Sequence, residues 1–158
     1  MSANKIYTAS QALEKSQKTC AYQERCQQEM RLKIRHWGIG EEETEQIIVE
    51  LIINGFINEE RFAHSFVRGK FNIKKWGKNK IIYALRQKQI SEVCIKTALN
   101  EIDGDKYYKT LVKLIEKKAP KVKATKSYIK KQKVIKYFIS RGYEYDIVLD
   151  ALKESSAF

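Results

Sequence analysis

Turn-forming residues are scarce in this chain. Proline occurs once, at Pro120, and glycine seven times in 158 residues, too few to punctuate the many short strands of a sandwich or barrel. Histidine is limited to His36 and His64. The three cysteines, Cys20, Cys26 and Cys94, fall at spacings that fit neither a zinc site nor a redox pair. No metal is therefore expected, and the thiols read as buried or half-buried packing groups. There is no run of about 18 apolar residues to cross a membrane as a helix. The opening residues, MSANKIYTASQALEK, hold no apolar stretch before a small-residue cleavage site, so a cytoplasmic location is expected. A Gly-rich phosphate loop, a Gly-x-Ser-x-Gly elbow and a His-Glu-x-x-His helix are all missing. The expectation is a protein that is not an enzyme and takes no cofactor.

What the chain does hold is charge and helical pattern. With 43% hydrophobic and 32% charged residues it can bury a core. Its net charge of +12 is uneven: residues 1–60 hold 7 Lys and Arg against 10 Asp and Glu, residues 61–103 hold 10 against 3, and residues 104–158 hold 14 against 6. A remainder this basic suggests a polyanionic partner, and the acidic first third offers a second contact surface.

Residues 1–7 read as a frayed start. Helices are expected over about 9–18, with Ala12 and Leu13 as contacts, over 22–36, with Met30 and Ile34 inward, and over 41–53, with Thr44, Ile47, Ile48 and Leu51 buried. The carboxylates of Glu41, Glu42 and Glu43, like those of Glu59 and Glu60, sit where a helix dipole favours them. Gly55 suits a left-handed helix end, and Asn58 suits the N-cap of the next helix. Phe62, Ala63, Phe66 and Ile73 would form that helix's apolar face. Arg61, Arg68 and Lys75, seven apart each time, would line another side. Trp76-Gly77 breaks the run before a helix carrying Ile81, Ile82 and Leu85.

One pattern occurs three times. Ile34-Arg-His-Trp-Gly-Ile39, Leu85-Arg-Gln-Lys-Gln-Ile90 and Phe138-Ile-Ser-Arg-Gly-Tyr143 each place an apolar residue five before another. Met30, Ile81 and Val134 stand four before the first anchor, and each next helix presents inward positions at five, eight and nine past the second, apolar but for Thr44. An all-α fold of three tandem three-helix, helix-turn-helix-like units follows, at 1–54, 55–103 and 104–158, in an elongated, curved array. Three such units give no reason to require a dimer, so a monomer is expected.

The stretch Gly-Phe-Ile-Asn-Glu-Glu-Arg-Phe-Ala from Gly55 to Ala63, with Arg68, Gly77, Ile81, Leu85 and Ile90 at their spacings, resembles the RecX family of bacterial RecA regulators. The resemblance is specific over roughly 35 residues and weaker outside them. It implies the same triple helical array, lying in the groove of a RecA–DNA filament and bridging its protomers. There it would hinder strand exchange, co-protease activity and filament extension, with no bond made or broken. The expected partners are thus the RecA filament and the single-stranded DNA within it. The first unit departs most from the family pattern, with Cys20-Ala21-Tyr22 where a serine-containing helix start belongs.

Candidate contact residues lie in the basic units. Arg61 and Arg68 precede a basic cluster of Lys74, Lys75, Lys78 and Lys80 around Trp76, whose indole could stack on a base or plug a junction between units. Lys123 precedes a helix expected over about 125–140, on which Lys126, Lys130, Lys133, Tyr137 and Arg141 follow offsets of 0, 4, 7, 11 and 15. Those offsets make one narrow stripe, beside a separate sector of Val134, Ile135 and Phe138. A self-standing DNA-binding protein is the alternative. Base reading is opposed by the carboxylates at Glu41, Glu42, Glu43, Glu92, Glu144 and Asp146, which open the third helix of each unit and would repel phosphate.

Overall fold

The structure, a computed structural model, describes residues 7–158. Of the expected frayed start, residues 1–6 lie outside the described residues. Tyr7 is tied down: its N–H donates to the Trp37 carbonyl at 3.4 Å and its ring lies 6.0 Å from that indole.

The described residues form nine α-helices and no strand. These are α1 (Ala9–Tyr22), α2 (Gln27–His36), α3 (Glu41–Ile53), α4 (Glu59–Asn72), α5 (Lys78–Gln87), α6 (Glu92–Leu99), α7 (Gly104–Lys118), α8 (Ser127–Ser140) and α9 (Tyr145–Glu154), with a 3-10 turn (Ala119–Lys121) after α7. Side-chain oxygens of Thr8, Asn58, Ser91 and Asp103 accept the N–H three residues on and so start α1, α4, α6 and α7. Pro120, which cannot continue a helix, stands just past α7.

The helices group in threes. The helix pairs in substantial contact are α1–α2, α1–α3 and α2–α3, then α4–α5, α4–α6 and α5–α6, then α7–α9 and α8–α9. The repeated pattern has a backbone cause. Gly38, Gln89 and Gly142, each four past its anchor, take φ of 88°, 60° and 99°. The turn then closes through the N–H of Ile90 on the Leu85 carbonyl at 3.1 Å and that of Tyr143 on Phe138 at 3.0 Å. Two units use glycine for this left-handed step, and the middle one uses glutamine.

Several expected details differ. α1 runs on to Tyr22, because Ala12, Ser16 and Cys20 bury one face at four-residue intervals. The chain is then extended at Gln23 and Cys26, so α2 starts at Gln27 rather than near residue 22. Leu13 and Ile82 are half-buried. On α4 the buried arc is Phe62, Ala63, Val67 and Phe71. Phe66 is half-buried, and Ile73, the C-cap, is 77% exposed. Phe71 is drawn in by Tyr107 of α7, 5.7 Å away between rings, which turns the face away from Ile73. Lys75 lies beyond the end of α4 with φ of 57°, so the line through Arg61 and Arg68 stops before it. Lys126 is the N-cap of α8 rather than a helical position.

Two cores result. Ala12, Cys20, Met30, Ile34, Ile39, Ile47, Ile48, Leu51 and Ile57 form one within the first three helices. The second runs without interruption through α4–α9, from Phe62 to Leu152, and takes in Cys26 from the first unit. Burial pushes the thiols of Cys20 and Cys26 up to about 11, far from thiolate at neutral pH.

Candidate partner-binding surface

The second and third units are locked by backbone. The N–H of Gly77 donates to the Arg141 carbonyl at 2.8 Å and that of Asn79 to the Gly142 carbonyl at 2.9 Å. The start of α5 thereby satisfies the end of α8. A Cβ on Gly77 would lie 2.2 Å from the Gly142 carbonyl carbon, and one on Gly142 would lie 2.4 Å from the Lys80 Cβ. Only glycine permits this approach. Around it, the Tyr143 hydroxyl donates to the Lys75 carbonyl at 2.8 Å and Arg141 Nη2 to the Lys74 carbonyl at 3.2 Å. The Tyr107 hydroxyl accepts from Lys78 N–H at 3.0 Å and donates to Glu144. Burial raises both phenols, helped at Tyr107 by Glu144.

The candidate residues separate into groups. Arg61 is tied to Glu24 and to the carbonyls of Gly55 and Phe56. Arg68 pairs with Glu101 at 3.2 Å. His64, hydrogen-bonded to the same carboxylate, together with Arg68 holds it below the usual range. Both arginines are engaged in tying α4 to the segments that follow α1 and α6. Trp76 is half-buried against the second core, edge-on to Phe66 at 6.5 Å between rings. Lys70 and Lys80 stand over its indole at 4.8 and 4.4 Å, and Lys78 stands over the Tyr107 ring. With exposed Ile73 and Lys74, Trp76 lines a groove of about 510 Å³ between the first and second units.

The stripe on α8 divides. Lys126, Lys130 and Lys133 occupy its first half, where Lys133 Nζ donates to the Lys123 carbonyl at 2.9 Å. Tyr137 and Arg141 turn into a separate cleft of about 260 Å³ with Lys75. Its other cations, Lys117, Lys118 and Lys121, were not among the expected contact residues. Their signal was a three-lysine cluster around Pro120. Lys118 Nζ lies 4.1 Å from the Tyr137 ring centroid. Among the described residues no group of three or more His, Cys, Asp or Glu stands where it could hold a metal, and no helix is long and apolar enough to cross a membrane.

Three-helix units in series, with basic surfaces in the second and third, define the class. The comparisons give the family. Residues 58–99 match the model of the second three-helix domain of RecX, and residues 105–152 match that of the third. The chain belongs to the RecX family. The regulatory protein RecX of Clostridium botulinum is 32% identical over 134 residues, covering 84% of this chain and 62% of that protein. The regulatory protein RecX of Clostridium perfringens is 31% identical over 141 residues, covering 88% and 62%. A crystal structure of RecX from Lactobacillus salivarius superposes with a TM-score of 0.81 at 26% identity, over 95% of this chain and 97% of that one. This chain spans less than two thirds of the length of those curated clostridial relatives.

Proposed function

We propose that this chain is a non-catalytic modulator of RecA that occupies the groove of the RecA–DNA filament and limits strand exchange, co-protease activity and filament extension. It acts as a cytoplasmic monomer, with its units at 1–54, 55–103 and 104–158. The observation that carries this reading, beside family membership, is the backbone lock between the second and third units. It holds two strongly basic units, 10 cationic residues against 3 acidic and 14 against 6, in one fixed register that can lie along a polyanionic fibre. Occupancy alone suffices to inhibit, by favouring filament states that leave the groove filled.

The test is RecA's DNA-dependent ATP hydrolysis on single-stranded DNA with this protein titrated in, beside a DNA-binding control without RecA. Inhibition at well below one molecule per RecA protomer, with weak binding to DNA alone, is the expected result. Absence of inhibition together with tight, salt-sensitive DNA binding would move the chain to the DNA-binding alternative. Replacing Lys126, Lys130 and Lys133 with Glu is expected to weaken filament or DNA binding without unfolding. Unchanged affinity would remove that stripe from the contact surface.

A further inference from the structure

The cleft on the joint between the second and third units carries more charge than the fold accounts for. Lys117 and Lys118 reach it from the end of α7, Lys121 from the 3-10 turn, Arg141 from the end of α8, and Lys75 from the loop after α4. No carboxylate lines it, and none of the five enters an ion pair among the described residues. Helix ends explain part of this, since the C-termini of α7 and α8 each present about half a negative charge. Five cations against roughly one unit of negative charge leave a surplus of about +4. On a solvated face such lysines would splay apart. Here four separate elements bring the five cations around one concavity, and the backbone lock fixes the loop carrying Lys75.

The shape narrows the ligand. About 260 Å³ is below the roughly 300–1,000 Å³ of small-molecule sites, which suits a short piece of a longer polyanion. Of the three aromatics that line it, Phe138 and Tyr143 are buried and Tyr137 keeps 37% of its surface exposed. Lysines beside an aromatic plane are the pairing that binds a strand through phosphate and base together. We propose that this cleft seats a phosphodiester of a single nucleic-acid strand, with Lys75, Lys117, Lys118 and Lys121 neutralising phosphate and Tyr137 meeting the adjoining base. For the source of that strand the inference rests on the modulator reading.

The experiment is anisotropy of a labelled oligo(dT) with the full chain, without RecA, across a salt series. Lys117 and Lys121 are exposed, so Lys117→Ala with Lys121→Ala is expected to melt with the unaltered protein. It should flatten the slope of log K on log salt by about 1.4, or about 0.7 for each lost phosphate contact. Lys96→Ala with Lys153→Ala, equally exposed but outside the cleft, should leave the slope unchanged. Tyr137→Ala should weaken binding about fivefold or more while Tyr137→Phe retains it. Equal flattening by both lysine pairs would overturn the site in favour of a diffuse basic surface. Binding of inorganic pyrophosphate by calorimetry, lost in the Lys117→Ala, Lys121→Ala variant, with no binding of the oligonucleotide would overturn it in favour of a free polyphosphate. A protein that inhibits RecA but does not bind the strand would end this inference and leave the modulator reading standing. A strand held in the cleft without RecA inhibition would do the reverse.

Discussion

The joint between the second and third units is pinned by main chain bonded to main chain, whereas every hydrogen bond and ion pair described across the joint between the first and second involves a side chain. The former rests on the Gly77 and Asn79 amides donating to the carbonyls of Arg141 and Gly142, within a continuous apolar core. The latter rests on Lys88 with Glu29 at 2.8 Å, Gln28 Nε2 with the Gln87 carbonyl at 2.9 Å, Arg61 with Glu24, and the buried Cys26. Buried polar atoms at Glu24, Arg25, Glu29 and Glu59 lack a hydrogen-bond partner there, and burial raises the Glu59 carboxyl. A joint of partly satisfied charges opens at low cost and responds to salt, while one of amides and glycine does neither. The two tryptophans report on the two sides, since Trp37 packs on the first core and Trp76 on the second.

The largest test of this contrast is Gly77→Ala. With a Cβ forced to 2.2 Å from backbone, the loss is expected to be about 3 kcal/mol or more by urea unfolding followed at Trp76. A loss under about 1 kcal/mol would mean that the joint yields. Tyr143→Phe comes next, at about 1–2 kcal/mol, because it strands the Lys75 carbonyl. The alkaline limb sharpens the point. Burial raises the Tyr107 and Tyr143 phenols above their ordinary 10.0, so the fold favours their neutral forms. Their contribution is complete below pH 10 and is lost as the pH rises through the raised values. Replacing both with Phe should flatten that limb in a series of denaturant midpoints. At the other joint, Lys88→Ala should cost about 1 kcal/mol and the loss should shrink in high salt. A salt-independent loss would contradict an ionic joint. The smallest effect is a gain: Gln89→Gly, at φ of 60°, should stabilise by about 0.5–1 kcal/mol. No gain in denaturant midpoint would show the glutamine to be unstrained.

The triple helical pattern was legible because anchors such as Leu85 and Ile90 close one turn within one unit, and local spacing records that closure. The Asn58 cap was legible for the same reason. The facing of α4 was not, because Phe71 is buried by Tyr107 from the next unit and nothing near Ile73 reveals its exposure. The candidate surface suffered similarly. Arg61 and Arg68 look free in sequence, yet their partners Glu24 and Glu101 arrive from the distant segments that follow α1 and α6. The cleft cations are split among four elements, which the Gly77–Gly142 approach helps bring together.

A contact that admits no Cβ also admits no slack. Under bending or tension the second and third units are expected to travel as a single beam, with the first turning against them at its side-chain joint. Any partner that curves this chain therefore concentrates the deflection near Glu29 and Lys88, leaving the grip of the cleft undistorted while the acidic end swings.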